Sequence, residues 1–147
     1  MFADLLRRLS APETEPLPDP DARLALTALL VRIARSDGDY ADVEVRRIDR
    51  IAMARYGLSP FEAAALRREA EALEGEAPDT VRFTREIKDA VPYEEREGVV
   101  EALWDVVLAD GARDHEEDGM IRLVSNLLGV NDRDSALARK RVEARGA

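Results

Sequence analysis

Apolar residues recur at three- and four-residue spacing along most of the chain, and no stretch alternates with period two for long. This pattern demands helices that each bury one stripe, and it leaves little room for a sheet. A first helix is expected over 22–35, where Leu26, Leu29, Leu30 and Ile33 share a face and Asp19-Pro20-Asp21 signals the start. A second should run from about Asp42 to Tyr56 with Val45, Ile48, Ile51 and Ala52 inward, stopped by Gly57. Ser59-Pro60-Phe61-Glu62 combines a cap, a proline suited to the first helical position and the capping-box glutamate. The helix it opens is predicted to end near Leu73, before Gly75 and Pro78. Asp79 or Thr80 begins a shorter helix carrying Val81, Phe83, Ile87 and Ala90. Pro92 should open a long helix to Ala109, and two more are expected over Glu116–Leu128 and from Asp132 towards Glu143. The predicted fold is all-α, a single multihelical bundle of about seven to eight helices.

Residues 19–147 form the expected helical domain. Ahead of it, 1–18 reads as an amphipathic helix and then a proline-rich linker: Phe2, Leu5, Leu6 and Leu9 share a face, and Pro12, Pro16, Pro18 and Pro20 stiffen the stretch leading into the domain. Docking of this helix on the core is the reading preferred over a membrane role, because one short helix binds lipid weakly.

The formal charge is −9, from 22 basic and 31 acidic residues. A nucleic-acid binder needs a basic stripe that this chain lacks overall, and anionic lipid repels it. Without cysteine there is neither a disulfide nor a thiol nucleophile. No apolar run approaches the roughly 20 residues that span a bilayer, and Met1–Ser10 lacks the apolar centre of a signal peptide. A cytoplasmic chain without membrane insertion is expected. Neither a phosphate-cradling glycine loop nor a Ser–His–Asp signature is visible, so no enzyme is expected. The single histidine, His115, reads as a solvated loop residue and Trp104 as a core residue. Arg46, Arg47 and Arg50 should pair with acidic neighbours, while Arg139, Lys140, Arg141 and Arg145 should complement a helix C-terminus.

One pattern occurs twice. Arg35-Ser-Asp-Gly-Asp-Tyr-Ala-Asp-Val-Glu44 precedes Ile48 and Ile51, and Leu108-Ala-Asp-Gly-Ala-Arg-Asp-His-Glu-Glu117 precedes Ile121 and Val124. Asp37 lies seven positions before Glu44, and Asp110 seven before Glu117. After a one-residue slip, Tyr56-Gly57-Leu58-Ser59 matches Leu128-Gly129-Val130-Asn131, each ending on a residue able to cap the next helix. Two matching helix–turn–helix halves suggest a pseudo-twofold arrangement, which can set the Asp-Gly turns together or at opposite ends.

Each turn taken alone has an ordinary explanation: glycine closes helices, and a glutamate in a first turn meets the positive end of the dipole. Asp37 and Asp110 are less ordinary, because each sits at a helix C-terminus, where negative charge is unfavourable. Two carboxylates ~4 Å apart repel by about 4 kcal/mol at an effective dielectric of 20. Convergence of Asp37, Glu44, Asp110 and Glu117 would therefore call for a cation, protonation or separation by water. An all-oxygen set favours calcium, magnesium or manganese. Asp39, Asp114, Glu116 and Asp118 can extend such a site, although the spacing is not that of an EF-hand.

On Ser36-Asp-Gly…Glu44, Ala109-Asp-Gly…Glu117 and the order of helices, the chain resembles the TerB-like proteins of tellurite resistance over about Leu24 to Val142. The resemblance implies an all-α fold, a divalent-metal reading for Asp37, Glu44, Asp110 and Glu117, and a stress-associated setting beside protein partners in membrane-linked complexes. A homodimer is also open to such a chain. Two functions compete: a divalent-cation-binding module, and a metal-free acidic scaffold for protein interaction. A third, an acid–base hydrolase, needs paired carboxylates inside a cleft.

Overall fold

A computed structural model describes Leu6 and residues 19–36, 38, 40–76, 80–110 and 115–145, leaving aside the side chains of 19–21, 82, 86, 90, 110 and 115–118. Seven α-helices and no strand occur among the described residues: α1 (Asp19–Arg35), α2 (Asp42–Tyr56), α3 (Pro60–Glu76), α4 (Thr80–Ala90), α5 (Arg96–Val107), α6 (His115–Leu127) and α7 (Asp132–Ala144). Two 3₁₀ turns, Tyr93–Glu95 and Leu108–Asp110, flank α5.

Helix α1 is the axis of the bundle. From Leu24 to Ala34 every residue except Arg32 is buried, Thr27 included, and α1 packs against α2, α3, α4, α5 and α6. A helix apolar on nearly all sides belongs inside, which is why this segment occupies the centre. Thr27 meets the cost of burial by donating its hydroxyl to the Arg23 carbonyl at 2.8 Å. Helix α5 is the second interior rod, with Val99, Val100, Leu103, Val106 and Val107 buried; its other main neighbour is α7. Phe83, Ile87, Ile121 and Leu128 complete the core from α4, α6 and the residue after α6, each stabilising by about 1.5–3 kcal/mol. Leu6, of the expected N-terminal helix, is helical and half-buried against this core; the rest of 1–18 lies outside the described residues.

Two corners are built alike. Gly57 and Gly129 both take left-handed φ (65° and 84°), which suits glycine. Beyond each, the next N–H reaches back five residues, Leu58 to the Met53 carbonyl (3.2 Å) and Val130 to the Ser125 carbonyl (2.9 Å). The next helix is capped in both cases: Ser59 Oγ accepts from Glu62 N–H (3.1 Å), and Asn131 Oδ1 from Asp134 N–H (2.8 Å). At the first, Glu62 returns the bond to Ser59 N–H at 2.9 Å, completing the expected box.

Two boundaries and one apolar position depart from the sequence expectation. Helix α3 runs past Leu73 through Gly75 to Glu76, because arginines of α1 serve carbonyls near its end: Arg32 donates to the last-turn Glu74 O (3.0 Å) and Arg35 to Glu71 O one turn before it (3.3 Å). Pro92 is extended, with ψ 148°, so a 3₁₀ turn intervenes and α5 begins only at Arg96. Val81, one of the apolar residues that mark this helix in the sequence, is exposed at the start of α4, unlike Phe83 and Ile87.

Candidate functional site

Helix α1 ends as Ser36 folds back on Ile33 O through both its N–H (3.2 Å) and hydroxyl (2.7 Å). Gly38 comes next among the described residues, with φ 83°, and donates to Arg35 O, so the Asp-Gly turn uses a conformation side chains resist. Tyr40 then returns the chain to the bundle: its hydroxyl donates to Glu71 Oε2 at 2.8 Å and the Arg35 guanidinium lies over its ring. Burial, reinforced by the bond to Glu71, pushes the Tyr40 hydroxyl well above its ordinary pKa.

Glu44 enters in the first turn of α2 and is fully buried. Its Oε1 accepts the Ala41 N–H at 3.1 Å. Ala41 has no side-chain acceptor to return the bond, so this is half a capping box, with the carboxylate at the positive end of the helix dipole. Sequence periodicity placed Val45, Ile48, Ile51 and Ala52 inward; Ile48 and Ala52 are buried, Val45 and Ile51 only half-buried.

The turn that follows α5 approaches the same place. Arg47 of α2 binds Asp105 of α5, while at the other end of the pair Arg55 Nη1 lies beside Gly98. The two helices are therefore antiparallel, and the start of α2 is level with the end of α5. The 3₁₀ turn Leu108–Asp110 packs against both. Position 110 thus comes to the corner where Glu44 is buried. Asp37, Asp39 and Asp114 lie outside the described residues, as do the side chains of Asp110, His115, Glu116, Glu117 and Asp118. Among the described residues no group of three acidic or histidine side chains is arranged to hold a metal.

Other carboxylates serve to join helices. Arg67 of α3 binds Asp49 of α2 (2.7 Å) and Glu71 (3.1 Å), and Glu71 in turn accepts from Tyr40. Burial pulls the Arg67 pKa down, but the two carboxylates outweigh it and the net direction is upward. Glu74 binds both Arg32 (3.2 Å) and Arg35 (2.7 Å). Only the Arg67–Glu71 spacing of four residues hints at this junction in the sequence. Trp104 is a core residue as expected, its Nε1–H donating to Ser135 Oγ at 3.1 Å and Arg139 lying over its ring. The basic end of α7 does more than complement a dipole, because Arg141 and Arg145 bind Glu101 of α5 at 2.9 and 3.2 Å.

The described architecture defines an all-helical bundle domain in which the buried Glu44, at the start of α2, lies level with the 3₁₀ turn that follows α5. The family model for the tellurite resistance protein TerB matches residues 23–140, and the chain belongs to that family. Neither the curated proteins nor the solved structures yielded a match. Among the described residues no helix is long and apolar enough to cross a membrane.

Proposed function

We propose that the chain is a cytoplasmic, non-enzymatic binding module that takes a divalent cation at the Glu44 corner, with Asp37, Glu44, Asp110 and Glu117 as donors, in a stress-associated setting. The observation that carries this reading is the burial of Glu44 level with the Leu108–Asp110 turn. A carboxylate removed from water is costly, and a cation is one compensation for it. The donors are all oxygen, which fits calcium, magnesium or manganese; bound there, the ion would join two segments distant in sequence and leave the rest of the bundle unchanged.

Calorimetry with each of the three cations tests the reading. Saturable heats are expected for wild type, with loss in Asp37→Asn/Asp110→Asn and in Glu44→Gln, which keeps an oxygen for Ala41 N–H. Saturation to 100 times Kd should also raise stability by about 2.7 kcal/mol. Identical, cation-independent titrations of all three proteins would reject it. The competing scaffold reading draws support from Asp49, Glu71, Glu74, Glu101 and Asp105, whose carboxylates bind arginines across helices. It predicts protein partners, or a second copy of the chain, on the charged faces whether or not a cation is present.

A further inference from the structure

On the face where α2 and α5 run antiparallel, a groove of about 390 Å³ opens between them. Its depth comes from small residues: Gly98 and Ala102 of α5 face Ala54 of α2, so neither backbone is screened by bulk. Its rim is cationic. Arg47, Arg50 and Arg55 project from α2, and Arg145 reaches in from beyond α7. The two carboxylates present are already engaged, Asp105 by Arg47 and Glu101 by Arg145 and Arg141.

Arg50 and Arg55 are exposed, and among the described residues neither has a hydrogen bond or ion pair. Sequence reasoning expected Arg50 to pair with an acidic neighbour, and nothing in the sequence marked Arg55. In a chain with 31 acidic residues, a concavity left with surplus guanidinium charge reverses the sign of the whole molecule locally. Like charges three residues apart on one helix, as in Arg47 and Arg50, repel, and a bound anion would relieve that repulsion.

We propose that this groove binds a small phosphate-bearing molecule through Arg50 and Arg55. Planar guanidinium forks match phosphate oxygens in pairs, and the volume falls within the roughly 300–1,000 Å³ typical of small-ligand sites. The net charge of −9 disfavours a long polyanion, so the ligand is a small molecule and not a nucleic acid. The inference does not rest on the cation reading.

The test titrates the full chain with inorganic phosphate, and separately with acetate, in divalent-free buffer of constant ionic strength, monitored by backbone amide NMR. Saturable shifts are expected around residues 50–55 and 98, with phosphate bound more tightly than acetate. Arg50→Gln/Arg55→Gln should fold normally, since both side chains are exposed and unpaired, and should bind phosphate about tenfold more weakly. Arg50→Lys/Arg55→Lys keeps the charge but removes the fork, and should lose the preference over acetate. Arg68→Gln, exposed on α3, should bind as wild type does. Linear, unsaturated shifts, equal affinity for acetate in wild type, or an equal loss in Arg68→Gln would overturn the proposal.

Discussion

Two of the arginine–carboxylate junctions in this bundle differ in kind. At the first, Arg67 sits between Asp49 and Glu71, with side chains 14–22% exposed, and Tyr40 closes the cluster from the α1–α2 turn. At the second, Arg141 and Arg145 reach Glu101, and Arg141 also approaches Glu97, but the arginines are 45% and 58% exposed. Both have acceptable distances. Asp49, Glu71 and Glu101 are equally shielded, each 22% exposed, but only the first junction holds its arginine away from water and depends on that one cation, so only there does its loss strand the others. Ion pairs are thus weighed by what surrounds them, and counting them says little.

That difference can be broken experimentally. Arg67→Ala is expected to destabilise by about 2–3 kcal/mol, because Asp49 and Glu71 would remain half-buried without their counter-charge; chemical denaturation measures it, and a loss below that of an exposed pair would equate the two junctions. Arg141→Ala should cost about 0–1 kcal/mol, and added salt should shrink even that. The smallest effect concerns Glu62, which is fully exposed in the Ser59 box. The Ser59 backbone N–H, with its hydroxyl, lowers the Glu62 pKa below the ordinary carboxylate value. A depressed folded pKa means the unfolded state binds more protons, so this contribution is present above the unfolded value and lost as pH falls through the folded one. Glu62→Gln should remove that part of the acid dependence, read from denaturation curves across the acidic range.

Much of this architecture was legible from local rules. Asp42–Tyr56 and Thr80–Ala90 have the boundaries their apolar spacing and caps imply, and Gly57, Ser59 and Asn131 act as their chemistry requires. The errors arise where distant residues intervene. Helix α3 outlasts Gly75 because Arg32 and Arg35, some forty residues earlier, serve its carbonyls, and no window around Gly75 contains them. Of the proposed cation site, the residue types and the repeat were visible, and so was the choice of Glu44. Its complete burial was not, because a glutamate among Val43, Val45 and Arg46 reads as part of the solvated face. The level meeting of α2 with Leu108–Asp110 is likewise a matter of packing between rods. Arg50 illustrates the reverse: its sequence neighbours suggest pairing, whereas the antiparallel α5 presents glycine and alanine beside it and beside Arg55, which the sequence did not mark.

The glycine corner before α7 fixes the residue at which that helix begins. An α-helix turns by about 100° per residue, so one residue inserted just after Asp134, inside the helix that the corner starts, would rotate everything beyond it by that amount against its neighbours. Ser135 would swing away from the indole of Trp104, and Arg141 from Glu101, although no contacting side chain had been altered. Drift in this chain should therefore tolerate substitution on the helix faces far more readily than any change in the number of residues inside its helices.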